Sequence, residues 1–231
     1  MRRLSLIIAA SLVAVMSAGA EAPAGAPETT AAPAPGLPPI PLSKPQRLAT
    51  MAASTSTGAM VCRDPRLTGR SVSNIVGRLP GCGIFEPVKL TSIAGIKLTA
   101  PATLDCRTAR TFANWLTGVA DVEARRMLGA RITKVWLMGT YSCRTRNNKP
   151  EARLSEHAVG RAVDVGGVWL GNGRKITVEQ NWGKGSAGAF LRTIWKNACG
   201  PFRTVLGPNA DRHHQDHLHF DTAYRKRSYC R

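Results

Sequence analysis

Residues 155–170 read SEHAVGRAVDVGGVWL, and the pattern changes at Gly160. The second half, Ala162–Leu170, alternates as a strand does and carries Asp164 between Val163 and Val165. Glycine suits the interior of neither a helix nor a strand, so His157 is placed in a turn that feeds this strand. An unpaired carboxylate at Asp164 is costly to bury among valines, and a bound cation removes that cost.

The chain has five histidines, and the four besides His157 lie together in RHHQDHLHFD, residues 212–221. Its end, HLHFD from His217 to Asp221, reads as a short strand. Side chains two apart on a strand share a face, so His217 and His219 can reach one ion, or one can bind it while the other works beside it. Two histidines and one aspartate with a fourth position left for water is a catalytic zinc arrangement, whereas structural zinc sites more often close with cysteines. The competing reading of the cluster is a solvated loop.

Outward from this centre the chain mixes elements without regular alternation. Residues 87–100, PVKLTSIAGIKLTA, read as a strand or hairpin closed by Pro101. Residues 103–128 read as the main core helix, with Phe112, Trp115, Leu116, Val119, Val122 and Met127 inward and Gly129 as the stop. Arg131–Cys143 reads as a buried strand running into a charged loop, and Ser186–Gly200 as a second helix with Phe190, Ile194 and Ala198 inward. Tyr141 and Trp182 are assigned to packing. The order gives an α+β class with a small antiparallel sheet backed by helices.

The ends and the composition set the compartment. Residues 1–20 carry Arg2 and Arg3, an apolar run and the small-residue ending Ala18-Gly19-Ala20, the pattern of a secretory signal. Residues 21–58 follow as a tether; residues 21–45 alone hold eight of the fifteen prolines, a composition that favours extended polyproline II over a core. Residues 59–231 form the domain, and no segment of the mature chain reads as membrane-spanning. Cys62, Cys82, Cys106, Cys143, Cys199 and Cys230 all lie in the domain and none forms CxxC, so three disulfides are expected, with the pairing open. A periplasmic or secreted location follows. The formal charge is +18, from 32 Lys plus Arg against 14 Asp plus Glu. With export and no nucleic-acid module, the partners are expected to be anionic envelope polymers or lipid headgroups and not nucleic acid.

The motifs also carry a family resemblance. SEHAVGRAVD resembles the Ser-x-His-x-x-Gly-x-Ala-x-Asp pattern of the zinc D-Ala-D-Ala peptidases and murein endopeptidases, and DHLH resembles their Asp-His-x-His. More closely, GTYSCRTRNN, RLSEHAVGRAVDVGG and the run from Phe190 to Asp221 resemble the extensin-like C-terminal domain of exported bacterial proteins. The resemblance implies the D-Ala-D-Ala peptidase fold, one Zn2+ per chain on His157, Asp164 and His219, and hydrolysis of an amide bond in peptidoglycan stem peptides or cross-links. Either Asp216 or His217 is then the general base: the first has the usual acid type, the second the better strand geometry. Arg144 would hold a substrate carboxylate or an oxyanion, and Ser155 and His214 are candidate substrate contacts. Asp221 could orient a ligand histidine. The spacing of His214, His217 and His219 is shared with the murein endopeptidases, which favours endopeptidase over carboxypeptidase action. The alternative is a wall-binding or periplasmic zinc-binding module that keeps the fold without turnover.

Overall fold

The computed structural model describes residues 58–231. The expected export segment, 1–20, and the expected tether, 21–58, lie outside the described residues apart from Gly58. The first part of the chain supplies β1 (Ala59–Val61), β2 (Asp64–Ser71), β3 (Ile75–Val76), β4 (Gly83–Ile84), β5 (Val88–Ile93) and β6 (Ile96–Leu104). After a helical stretch come β7 (Ile132–Gly139), β8 (Ala162–Leu170), β9 (Lys175–Thr177), β10 (Thr204–Leu206), β11 (Leu218–Asp221) and β12 (Tyr229–Cys230). The helices are α1 (Cys106–Trp115), α2 (Asp121–Leu128), α3 (Val178–Asn181) and α4 (Gly185–Lys196). Among the described residues no helix is long and apolar enough to cross a membrane.

The sheet is larger than expected and it is mixed. Ten strands join in the order β1-β2-β5-β6-β7-β8-β11-β10-β12, with β9 also on β8, and the pairs β6–β7 and β10–β12 are parallel. The parallel β6–β7 step is the one a helical crossover permits, and α1 and α2 supply it. Several of the additional strands are two or three residues long, and β2, DPRLTGRS, has one large apolar side chain, so alternation could not announce them. Pro101 does not end its run: β6 continues through it to Leu104. There β6 pairs with β7 only at Lys97 and Leu98, so the missing proline N–H leaves no ladder bond unmade on that edge.

Asp105 caps α1 by accepting from Thr108 N at 2.7 Å, and Gly129 ends α2 in the left-handed region at φ 71°. Val122, expected inward, is exposed. A π turn, Leu116–Ala120, lies between α1 and α2 and shifts the apolar stripe, so Ala124 and Leu128 face the core instead. Phe112, Trp115, Phe190 and Ile194 pack with Val163, Val165, Val168 and Phe220 into one core. Trp115 lies 4.8 Å from Phe220 and 5.7 Å from Phe112, centroid to centroid, and its indole N–H donates to Ile194 O at 3.0 Å.

This core fixes the orientation of every strand that crosses it. On β11, Leu218 and Phe220 point to the core, so His219 and Asp221 point to the other face. On β8, Val163 and Val165 point to the core, so Asp164 shares the face of its cross-strand partner His219. The chemistry-bearing side chains are therefore on the face turned away from the core.

Candidate metal centre

Three segments meet on that face. Asp164 comes from the middle of β8 and His219 from the register position opposite it on β11. His157 comes from a 3-10 turn, Glu156–Val159, capped by Ser155, whose Oγ accepts from His157 N at 3.4 Å, and closed by Gly160 at φ 68°. Glycine takes that left-handed position without strain, and it lets the chain reverse from His157 into β8.

His157, Asp164 and His219 are 2%, 8% and 8% exposed, and one ligand atom from each lies within 4.8 Å of the others. His157 Nδ1 donates to Thr140 O at 2.5 Å, since a carbonyl can only accept. His219 Nε2 donates to Asp221 Oδ2 at 3.3 Å. Burial raises the Asp221 pKa, but the His219 bond and charge outweigh it and hold the carboxyl below its usual range, so it accepts as a carboxylate. Each histidine therefore turns its other nitrogen into the site. His157 Nε2 lies 3.2 Å from His219 Nδ1 and 3.2 Å from Asp164 Oδ2, and His219 Nδ1 lies 2.9 Å from Asp164 Oδ1.

Three groups that can each offer a lone pair to a cation thus face one another in a buried space. Burial pulls the His219 pKa down, but its bonds to Asp164 and Asp221, with their charges, push it up to about 9. For Asp164 burial acts upward, and the two histidines more than reverse it, leaving the carboxyl far below its ordinary value. A proton on His219 Nδ1 meets Asp164 but leaves the His157 lone pair opposed, whereas a cation meets all three. Two imidazole nitrogens and one carboxylate oxygen, each histidine oriented by an acceptor behind it, fit a divalent transition metal.

Around the triad is a cleft with two lobes. The larger, about 750 Å³, is lined by Arg144, Ser155, His214, His217 and Arg225 among others. The smaller, about 390 Å³, is lined by Pro101, Met138, Tyr141 and Arg144; His157 and Asp164 border both. His217 Nε2 stands 3.6 Å from Asp164 Oδ1, and its Nδ1 lies 2.7 Å from Asp216 Oδ1. Asp216, with its side chain 48% exposed, sits behind His217 and does not line the cleft. His214 repeats the arrangement: Nδ1 is 2.8 Å from Asp211 Oδ1, and the ring lies 5.2 Å from that of His217. Burial, ahead of the opposing Asp211 bond, holds the His214 pKa below its usual value. Arg144 follows Cys143, which is bonded to Cys82, so a disulfide anchors the segment that presents the guanidinium.

Of the residues singled out in the sequence, the structure brings His157, Asp164, His219, His217, Arg144, Ser155 and His214 to one cleft and leaves Asp216 outside its lining. Ser155 is buried and caps the turn as well as bordering the cleft. Tyr141, assigned to packing, borders the smaller lobe; Trp182 packs against the core. Three contributors were not singled out. Thr140 acts through its carbonyl, which no side-chain pattern reveals. Asp211 was hidden by its place in a polar loop. Gly139 lies opposite Asp164, and a Cβ there would stand 2.5 Å from Asp164 Oδ2, so only glycine leaves room for the carboxylate. The six cysteines pair as Cys62–Cys106, Cys82–Cys143 and Cys199–Cys230, with none free.

Fold and site together define a disulfide-bonded domain of helices and one large mixed sheet, with a buried His/Asp/His cluster able to hold a metal at the floor of a two-lobed cleft. Residues 62–231 match the family described as Extensin-like protein C-terminus, and the chain belongs to that family. Among curated proteins and solved structures none matches the chain.

Proposed function

We propose that the chain is an exported zinc-dependent peptidase that hydrolyses an amide bond in the peptide part of peptidoglycan, with the fold and metal site of the D-Ala-D-Ala peptidases. The observation that carries this reading is the set of three mutually facing ligand groups, His157 Nε2, Asp164 and His219 Nδ1, on the floor of a cleft of about 750 Å³. Two nitrogens and one oxygen from three protein ligands, open toward a cleft, match the donor set of catalytic zinc. When bound, zinc supplies Lewis acidity at a scissile carbonyl and lowers the pKa of water to about 7.

The chain's own residues do the rest. His217 presents Nε2 to the cleft beside Asp164, and the Asp216 carboxylate holds the proton on Nδ1. That tautomer leaves Nε2 free to take a proton and to pass it to the leaving amine, so His217 is the general base and Asp216 its positioning residue. Arg144, in both lobes, offers fixed paired donors to a substrate carboxylate, which a stem peptide carries. Space extends from the triad into both lobes, as an endopeptidase needs for chain on each side of the bond. Three disulfides fit an oxidising envelope compartment.

The experiment is to incubate the metal-free chain with cross-linked and monomeric muropeptides, with and without added zinc, and to identify the products by mass spectrometry. Zinc-dependent cleavage of the cross-linked species is expected. Zinc uptake with every muropeptide intact would reduce the chain to a zinc-binding wall module.

A further inference from the structure

The face of the sheet that carries the triad continues past it. On β7, Val135 and Leu137 belong to the core, which turns Lys134, Trp136 and Met138 to the open face. On β8 the pairing shifts between Trp136↔Gly167 and Leu137↔Val165, and beyond that bulge Val168 and Leu170 point inward while Trp169 points outward. Trp169 pairs with Lys134 on β7 and with Lys175 on β9. The ammonium of Lys134 lies 5.4 Å from the Trp169 ring centroid, and that of Lys175 lies 5.0 Å from Trp169 and 4.8 Å from Trp136.

This platform is joined to the cleft. A Cβ on Gly166 would stand 2.7 Å from Met138 Sδ and 2.9 Å from the Trp136 ring, so both side chains reach over β8 at a residue that offers them no obstacle. Met138 in turn lines the smaller lobe together with Asp164 and His157. Asp164 and Trp169 are five residues apart on one strand, roughly 15 Å at the rise of an extended chain. A surface of that length runs from the triad through Met138 and Trp136 to Trp169.

Its charge is one-sided. Lys97 on β6 sits directly opposite Lys134, a like-charge pair that costs stability in a sheet. Among the described residues no carboxylate lies within ion-pairing distance of Lys97, Lys134 or Lys175. A strand face meant only for solvent needs neither two indoles nor a row of lysines that has indole rings but no carboxylate for partners. Indole rings with ammonium groups standing over them suit a ligand whose negative charges draw the lysines aside and whose flat apolar faces then take their place on the rings.

We propose that this open face is a binding track for a polysaccharide bearing carboxylates, whose sugar rings lie on Trp136 and Trp169 while its acidic groups meet Lys97, Lys134 and Lys175. The proposal rests on the wall reading for its choice of ligand, the wall glycan where its lactyl carboxyls are free of stem peptide, and it places such a stretch beside the triad.

The test measures binding of the full chain to peptide-free glycan strands from peptidoglycan by calorimetry, with neutral chitin oligosaccharides and polyglutamate as comparison ligands. Wild type is expected to prefer the glycan strands to both. Trp136→Ala and Trp169→Ala should each weaken that binding about tenfold or more with the melting temperature retained. The double variant K134Q/K175Q, which leaves both indoles in place, should weaken it and flatten its salt dependence. Unchanged binding by K134Q/K175Q would overturn the proposal even if the tryptophan variants misfold, and so would polyglutamate binding as tightly as glycan. Because the readout needs no turnover, a chain that binds glycan but cleaves no peptide defeats only the peptidase reading. One that cleaves muropeptides and ignores glycan strands defeats only this one.

Discussion

His157 and His219 face each other nitrogen to nitrogen at 3.2 Å, and each has its other ring nitrogen already committed, to the Thr140 carbonyl and to the Asp221 carboxylate. With Asp164 as the third member, the site is arranged for a cation that would displace the proton between His219 and Asp164 and draw the three groups together. The aromatic core beneath β11, where Phe220 packs on Trp115 and Phe202, keeps the register that makes this possible.

Removing the acceptor behind a ligand should weaken the metal without unfolding the chain. Asp221→Asn leaves the packing volume nearly unchanged but takes away the carboxylate that holds the His219 tautomer. Zinc affinity, measured by competition with a chromophoric chelator, is expected to fall about 10–100-fold. An unchanged affinity would show that Asp221 does not orient His219.

Gly139→Ala tests the same site from the opposite strand. The added methyl would stand 2.5 Å from Asp164 Oδ2, and since Asp164 is buried, the carboxylate has to move. A loss of zinc affinity of at least about tenfold is expected, with far-UV dichroism unchanged. Full affinity in this variant would mean that the carboxylate has another place to bind from.

Much of this centre was legible in the sequence because its parts obey local rules. Gly160 marks the turn that presents His157, and period-two alternation orders both Ala162–Leu170 and His217–Asp221, so His157, Asp164 and the His217/His219 pair could be singled out before any tertiary contact was known, while the choice of His219 over His217 as a ligand came from the family resemblance. The remainder depends on contacts distant in sequence. The Thr140 carbonyl has no side-chain signature, the space at Gly139 exists only once β7 lies against β8, and the edge strands are too short for alternation to show. Val122 misled because a π turn upstream of it changes the helical phase. The disulfide pairing likewise follows from which loops the sheet brings together, as with Cys82 and Cys143, 61 residues apart.

His217 and Asp216 can be separated by kinetics once cleavage is in hand. His217→Ala removes the group that faces the cleft and is expected to lower kcat about a hundredfold or more with zinc retained. Asp216→Ala removes only the partner of Nδ1, so a smaller loss is expected, with the pH profile of kcat displaced. A larger loss in Asp216→Ala than in His217→Ala would reverse the assignment.

The disulfides should stabilise a fold that exists without them, since the domain has an aromatic and aliphatic core of its own. Each is expected to contribute about 2–4 kcal/mol, measured by denaturant unfolding of the three double-serine variants. Thiol titration of the unfolded chain should find no free thiol before reduction and six after it. Thiols that react before reduction and become protected by zinc would point instead to a cysteine metal site.

Metal stoichiometry tests the central claim most directly. The chain is stripped with chelator, reloaded with zinc, freed of excess and assayed by elemental analysis beside His157→Ala, Asp164→Ala and His219→Ala, with folding checked by dichroism. One zinc per wild-type chain, and loss of that zinc in each of the three folded variants, is the predicted result. Full zinc retained in all three variants, or none taken up by the wild-type chain, would contradict the assignment of His157, Asp164 and His219 as its ligands.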